Sequence, residues 1–139
     1  MTAKEYLMQV RNTDNLINAK LREFEELRKQ IESLQSVQFG EKVKSSQIGD
    51  SMQKTIEKIV DMQNEINTEV DKLVDLKSKI RAEINQLSDN RYITVLTDYF
   101  INCMTFDEIS NEEKYSRRQI TRLFGNALQS FQKDVLKCP

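Results

Sequence analysis

The sequence predicts an all-α protein, in which a long antiparallel helical hairpin (a coiled coil) is followed by a small unit of short helices. Proline occurs once and glycine three times in 139 residues, so few residues interrupt helices. Glu, Lys, Gln, Leu and Ile are abundant, and this composition favours helices over strands. Apolar residues recur every three or four positions along most of the chain, which is the period of an amphipathic helix.

The first predicted helix covers about residues 2–35. Thr2 and Glu5 have the spacing of a capping box, in which each side chain accepts from the backbone of the other residue. Asp14 falls on the apolar stripe, where a polar residue typically sets the register of a coiled coil. Gly40, Gly49 and several serines then predict a loop over about residues 36–50.

The second predicted helix covers about residues 51–87 and carries five heptads in phase. Its apolar stripe is wider than one partner helix can cover, so we expect a second chain to complete a four-helix bundle. Residues 1–87 are therefore predicted to form a homo-oligomer, with a dimer favoured. The residues expected at the contact between chains are Ile59, Ile66, Val70, Leu73 and Ile80.

The remaining residues, 88–139, are predicted to form a second domain of shorter, well-capped helices. A helix is expected over about residues 89–102. Thr105 and Glu108 form a capping box for the next helix, and Ser116 and Gln119 form one for the last helix. The two final helices are joined by a turn of three or four residues, with Lys114 where glycine is often found. This spacing predicts a helix-turn-helix.

One local cluster of positive charge lies at the start of the last helix. The net charge of the chain is −1, so any affinity for DNA must come from such a cluster. Arginine can bind phosphate or guanine, and glutamine can pair with adenine. A solvated basic face is the alternative, but the helix-turn-helix spacing favours contact with double-stranded DNA. The expected DNA-binding residues are Lys114, Ser116, Arg117, Arg118, Gln119, Thr121 and Arg122.

Several classes of function are disfavoured by what the sequence lacks. Histidine is absent, which removes the commonest general base and zinc ligand. Neither a phosphate-binding glycine loop nor a metal-ligand cluster is present, so we expect no enzyme, no cofactor and no metal. Cys103 and Cys138 are isolated thiols, which suit a reducing cytoplasm. No apolar run predicts a membrane span or a signal peptide.

The segment YSRRQITRLFGNAL, residues 115–128, resembles region 4 of bacterial sigma factors. Ser116 and Arg117 match the start of the recognition helix of that family, and Ala127 and Leu128 match its end. The preceding segment FINCMTFDEIS is also similar, with Cys103 where the family has glycine. The resemblance implies that the last helix enters the major groove of promoter DNA. The matching positions in this chain are Arg117, Arg118, Gln119, Thr121 and Arg122.

The whole chain resembles a narrower group, the ArpU and RinA type regulators of phages and prophages of Gram-positive bacteria. The resemblance lies in the MTAKEYL start, the FGEKV segment and the pattern INxEVDKLVDLKxxI. It implies a transcription regulator of late phage genes, acting in the cytoplasm of a bacterial host. Two alternatives stay open. One is a DNA-recognition subunit of phage packaging machinery, and the other is a coiled-coil protein that docks on host RNA polymerase or a sigma factor.

Overall fold

The computed structural model describes the backbone of residues 1–40 and 45–137, and the side chains of residues 1–33 and 50–137. Every regular element in these ranges is helical, which confirms the predicted all-α class. The elements are α1 (Ala3–Gly40), α2 (Ser45–Ile84), α3 (Asn90–Leu96), a π-helical segment (Thr97–Ile101), α4 (Phe106–Glu113) and α5 (Arg117–Asp134). None of the described helices combines the length and the apolar character that crossing a membrane requires.

The two long helices extend further than the sequence predicts. Helix α1 continues to Gly40 and α2 begins at Ser45, so helical structure covers most of the predicted loop over residues 36–50. Residues 41–44 of that loop lie outside the described ranges. Because no proline or glycine stands between Gln35 and Gly40, nothing in the local sequence ends α1 earlier.

The chain divides into two compact units that differ from the predicted domains 1–87 and 88–139. The terminal unit comprises Met1–Asp14 and Leu73–Pro139, and the central unit comprises Asn15–Lys72. The first fourteen residues therefore belong with the C-terminal helices. Contacts of Ala3 and Tyr6 with residues of the same unit explain this division.

The start of α1 is joined to the C-terminal helices by side-chain contacts across the terminal unit. The Tyr6 hydroxyl donates to the Glu83 carboxylate at 2.5 Å, and the Tyr6 ring stacks on Phe131 with centroids 6.1 Å apart. Burial and the neighbouring Glu83 carboxylate raise the pKa of Tyr6 to about 12. The backbone N–H of Ala3 donates to the Gln132 side-chain oxygen at 2.6 Å. These contacts connect residues more than seventy positions apart along the chain.

In the central unit, Ile17 of α1 and Ile66 of α2 are both buried. Lys20 of α1 forms an ion pair with Glu65 of α2 at 3.2 Å. This pair is partly exposed, so we expect it to contribute at most about 1 kcal/mol.

The residues predicted to lie between chains have different environments in the single chain. Ile66, Leu73 and Ile80 are buried within the chain, and Ile59 is half-buried. Val70 is 39% exposed. Burial within the single chain therefore accounts for three of the five residues. Val70 is instead one of the exposed aliphatic residues of α2.

Candidate nucleic-acid interface

The segment from α4 to α5 is fixed by local hydrogen bonds at each helix end. The Thr105 hydroxyl accepts from the Glu108 backbone N–H at 3.2 Å, and Glu108 accepts in return from the Thr105 N–H. Lys114 follows α4 in the left-handed conformation, with φ 57° and ψ 35°. The Ser110 hydroxyl donates to the Tyr115 carbonyl across the turn. Together these bonds fix the path of the chain between the two helices.

Helix α5 begins with the third predicted capping box, which the structure confirms. The Ser116 hydroxyl accepts from the Gln119 backbone N–H at 3.2 Å. The Gln119 side-chain oxygen accepts from the Ser116 N–H at 2.8 Å. No acidic residue lies in the first turn of α5, so the partial positive charge of the helix end is not neutralised there.

One face of α5 is buried and anchors the helix in the terminal unit. The buried residues are Ile120, Leu123, Phe124, Ala127 and Phe131. Phe124 packs into an aromatic cluster with Tyr99, Phe100 and Phe106, with ring centroids between 4.9 and 5.7 Å apart. Aromatic packing of this kind holds a helix in one orientation. The opposite face of α5 is consequently fixed toward solvent.

All seven predicted DNA-binding residues are exposed, from Lys114 through Arg122. The structure gives them different surroundings. Arg117 forms an ion pair with Asp107 of α4 at 3.3 Å, and the Thr121 hydroxyl donates to the Arg117 carbonyl. Ser116 and Gln119 are engaged in the cap. Within the described residues, the side chains of Lys114, Arg118 and Arg122 form no hydrogen bond or ion pair with the protein.

The exposed face of α5 continues beyond the predicted residues. Gly125 and Asn126 are both exposed. Gly125 lies seven residues after Arg118 and three after Arg122, which places all three on one line of the helix. A Cβ atom added at Gly125 would meet nothing within 4 Å. Extending the helical spacing from Arg118 would have identified this position in the sequence.

The N-terminal part of α1 supports the segment that precedes α4. The Arg11 side chain donates to the carbonyl oxygens of Tyr99 at 2.8 Å and Met104 at 3.2 Å. Its guanidinium carbon also lies 4.1 Å from the centroid of the Tyr99 ring. Cys103, between these two carbonyls, has a positive φ of 55°. Glycine adopts this conformation with the least strain, so a cysteine at this position is conformationally unfavourable.

Two acidic side chains meet beside the turn, at the end of α4. Burial is the main factor that raises the pKa of Glu113, and the neighbouring carboxylate of Asp98 adds to it. Asp98 also accepts from the Asn102 side-chain amide at 3.1 Å. The protonated form of Glu113 is thus favoured in the folded chain relative to an exposed glutamate.

The described part of the chain brings no three His, Cys, Asp or Glu side chains together in a way that could hold a metal ion. Cys103 is a half-buried free thiol, and burial raises its pKa. Cys138 lies outside the described residues. Comparisons of the chain with protein-family models, curated proteins and solved structures found no match.

Proposed function

We propose that this chain is a sequence-specific DNA-binding transcription regulator of phage type, in which α4 and α5 form a helix-turn-helix. In this proposal α5 enters the major groove of double-stranded DNA. The observation that carries the proposal is the exposed line of Arg118, Arg122 and Gly125, which lies opposite the buried face of α5.

The residues of that line have the chemical properties needed to bind in the major groove of DNA. Arg118 and Arg122 have no protein partner among the described residues, so binding DNA would break no ion pair of theirs. A guanidinium group can bind two acceptors of guanine or a phosphate oxygen. The free N–H groups at the start of α5 favour a phosphate. Gly125 adds no side chain, which would let the helix approach the bases closely.

The other predicted DNA-binding residues lie around this line. Arg117 and Lys114 lie at the edge of the exposed face and suit phosphate contacts, although Arg117 would exchange its ion pair with Asp107 for a phosphate. Gln119 is engaged in the cap through its oxygen. We therefore assign Gln119 a structural role, which differs from the base contact that the sequence suggests.

The long helices complete the proposal. We infer that α1 and α2 form an antiparallel hairpin and that the chain is a homo-oligomer, so that two DNA-binding units act together. Two linked units gain effective concentration on a site with two halves. The resemblance to sigma region 4 favours a regulator that acts at promoters with host RNA polymerase, in the cytoplasm of a bacterial host. It gives less support to a packaging subunit.

The test begins with a pool of random DNA duplexes, from which the full-length protein selects a preferred sequence. The parent, Arg118→Ala and Arg122→Ala are then titrated with that duplex at several salt concentrations. Loss of a base contact should cost about 1–3 kcal/mol and relax the preference at one base pair. Loss of a phosphate contact should weaken all sequences alike and lower the salt slope by about one unit.

The matched control is Arg81→Ala, which removes an exposed arginine of α2. It should leave both the affinity and the salt slope unchanged. If Arg118→Ala and Arg122→Ala bind the selected duplex as tightly as the parent and with the same salt slope, the proposed function is wrong.

A further inference from the structure

Exposed aliphatic side chains form one line along α2. They are Ile56, Val60, Val70 and Val74, with 39%, 49%, 39% and 60% of their surface exposed. Isoleucine and valine are normally among the most buried residues, and single exposed examples are common. Four on one line of a helix are different, because association through that line would remove the apolar surface of all four from water.

Two uncharged polar residues occupy the middle of this line. Gln63 and Asn67 are exposed, and they lie between Val60 and Val70 at the same helical spacing of three or four residues. The line therefore contains six consecutive positions without a charged residue. Charged residues make up 31% of the whole chain, so this uncharged line differs from the rest of the surface.

The order of residue types along the line is the same from either end: two aliphatic residues, two amides and two aliphatic residues. Alternating steps of four and three residues are symmetric on any helix, so the order of the residue types is the informative property. In a two-fold symmetric dimer, a surface must be complementary to its own copy. This line meets that condition in both directions, because aliphatic residues face aliphatic residues and amides can hydrogen-bond with amides.

We propose that a second copy of this chain docks on the line from Ile56 to Val74, which forms the dimer contact. A partner with charged residues at its contact would leave those charges buried and unpaired against this line, which is costly. The central amides suit self-association as well, since polar residues within an apolar contact fix register in paired helices. The inference rests on the homo-oligomer of the proposed function and names its contact. It does not depend on DNA binding, so dimerisation and DNA binding can each fail without the other.

The first test measures the mass of the full-length protein in solution by sedimentation velocity. The parent should be a dimer at micromolar concentration. Val60→Asp should raise the dimer dissociation constant about a hundredfold or more, because the symmetric contact would bury two new carboxylates. The control is Thr68→Asp, which adds the same charge at an exposed position of α2 outside the line. It should dimerise as the parent does.

Circular dichroism should show the same helix content in both variants, since Val60 and Thr68 are exposed in the single chain. A monomeric parent would overturn the proposal. A Val60→Asp dimer as tight as that of the parent would overturn it as well.

The second test uses disulfide cross-linking in a background where Cys103 and Cys138 are replaced by serine. If two copies pair in parallel, Val60→Cys alone should cross-link to its own copy. If they pair antiparallel, Val60→Cys should cross-link when it is mixed with Val70→Cys and not when it is alone. Either pattern supports the proposal. Absence of a cross-link in both experiments would overturn it.

Discussion

Ser116 and Gln119 cap α5 reciprocally, each accepting a hydrogen bond from the backbone N–H of the other. Gln119→Ala removes one of these bonds and should lower the free energy of unfolding by about 1 kcal/mol. Gln119→Glu keeps an acceptor at the same place and should retain the stability of the parent. Urea denaturation measures both effects. Gln129→Ala, at an exposed position of the same helix, is the control and should change stability little.

Gly125 offers a test in which stability and DNA binding should change in opposite directions. Gly125→Ala should raise the free energy of unfolding by about 0.5–1 kcal/mol, because alanine favours a helix and the added Cβ meets no neighbour. The same methyl group would project into the proposed groove contact and should weaken binding to the selected duplex. Thermal denaturation and titration measure the two quantities. Unchanged affinity would mean that DNA does not approach this part of α5.

Glu113 should make stability depend on pH. Its pKa is raised in the folded chain above the ordinary value of 4.5, so the folded state holds the proton more tightly than the unfolded state. Stability should therefore fall as the pH rises from 4.5 through the raised pKa. Glu113→Gln removes this titration and should be more stable than the parent at pH 7. Below the ordinary pKa the difference between the two proteins should shrink. Equal pH profiles in urea denaturation would contradict this prediction.

Arg11 should be required for the stability of the C-terminal helices. Arg11→Ala removes two hydrogen bonds to backbone carbonyls and the contact with the Tyr99 ring, and should cost about 2 kcal/mol. The control is Arg22→Ala, at an exposed position of α1 in the central unit. For the same reason, a fragment of residues 15–139, which lacks only Met1–Asp14 of the terminal unit, should be less stable than the full chain. A fragment as stable as the full chain would contradict the role assigned to residues 1–14.

Local features of the fold could be predicted from the sequence, because they depend on residues close together in the chain. The capping boxes at Thr105 and Ser116 each need two residues three positions apart, and both are present in the structure. The outward face of α5 was also predictable, since Ile120, Leu123 and Ala127 show which side packs inward. The sequence assigned Gln119 both to the cap and to contact with DNA, and the structure shows its side-chain oxygen engaged in the cap.

Contacts between distant residues could not be predicted in the same way. Nothing near Arg11 indicates that its partners are the carbonyls of Tyr99 and Met104. The heptad pattern of α2 identified apolar positions but did not separate those buried within the chain, such as Ile80, from those exposed, such as Val74. That separation depends on which side of α2 packs against other helices. The apolar stripe is so wide that the sequence alone does not say which side this is.

The contact between Ala3 and Gln132 has a consequence for the order of folding. These residues are 129 positions apart, and the first turn of α1 leaves the ribosome long before its partners in α5. Closing such a long loop is entropically costly, so contacts of this kind form late. Until α5 has been synthesised, the ring of Tyr6 lacks its stacking partner Phe131. The nascent chain would thus expose an apolar surface that chaperones can bind, and the helix proposed to contact DNA would be the last part to complete the fold.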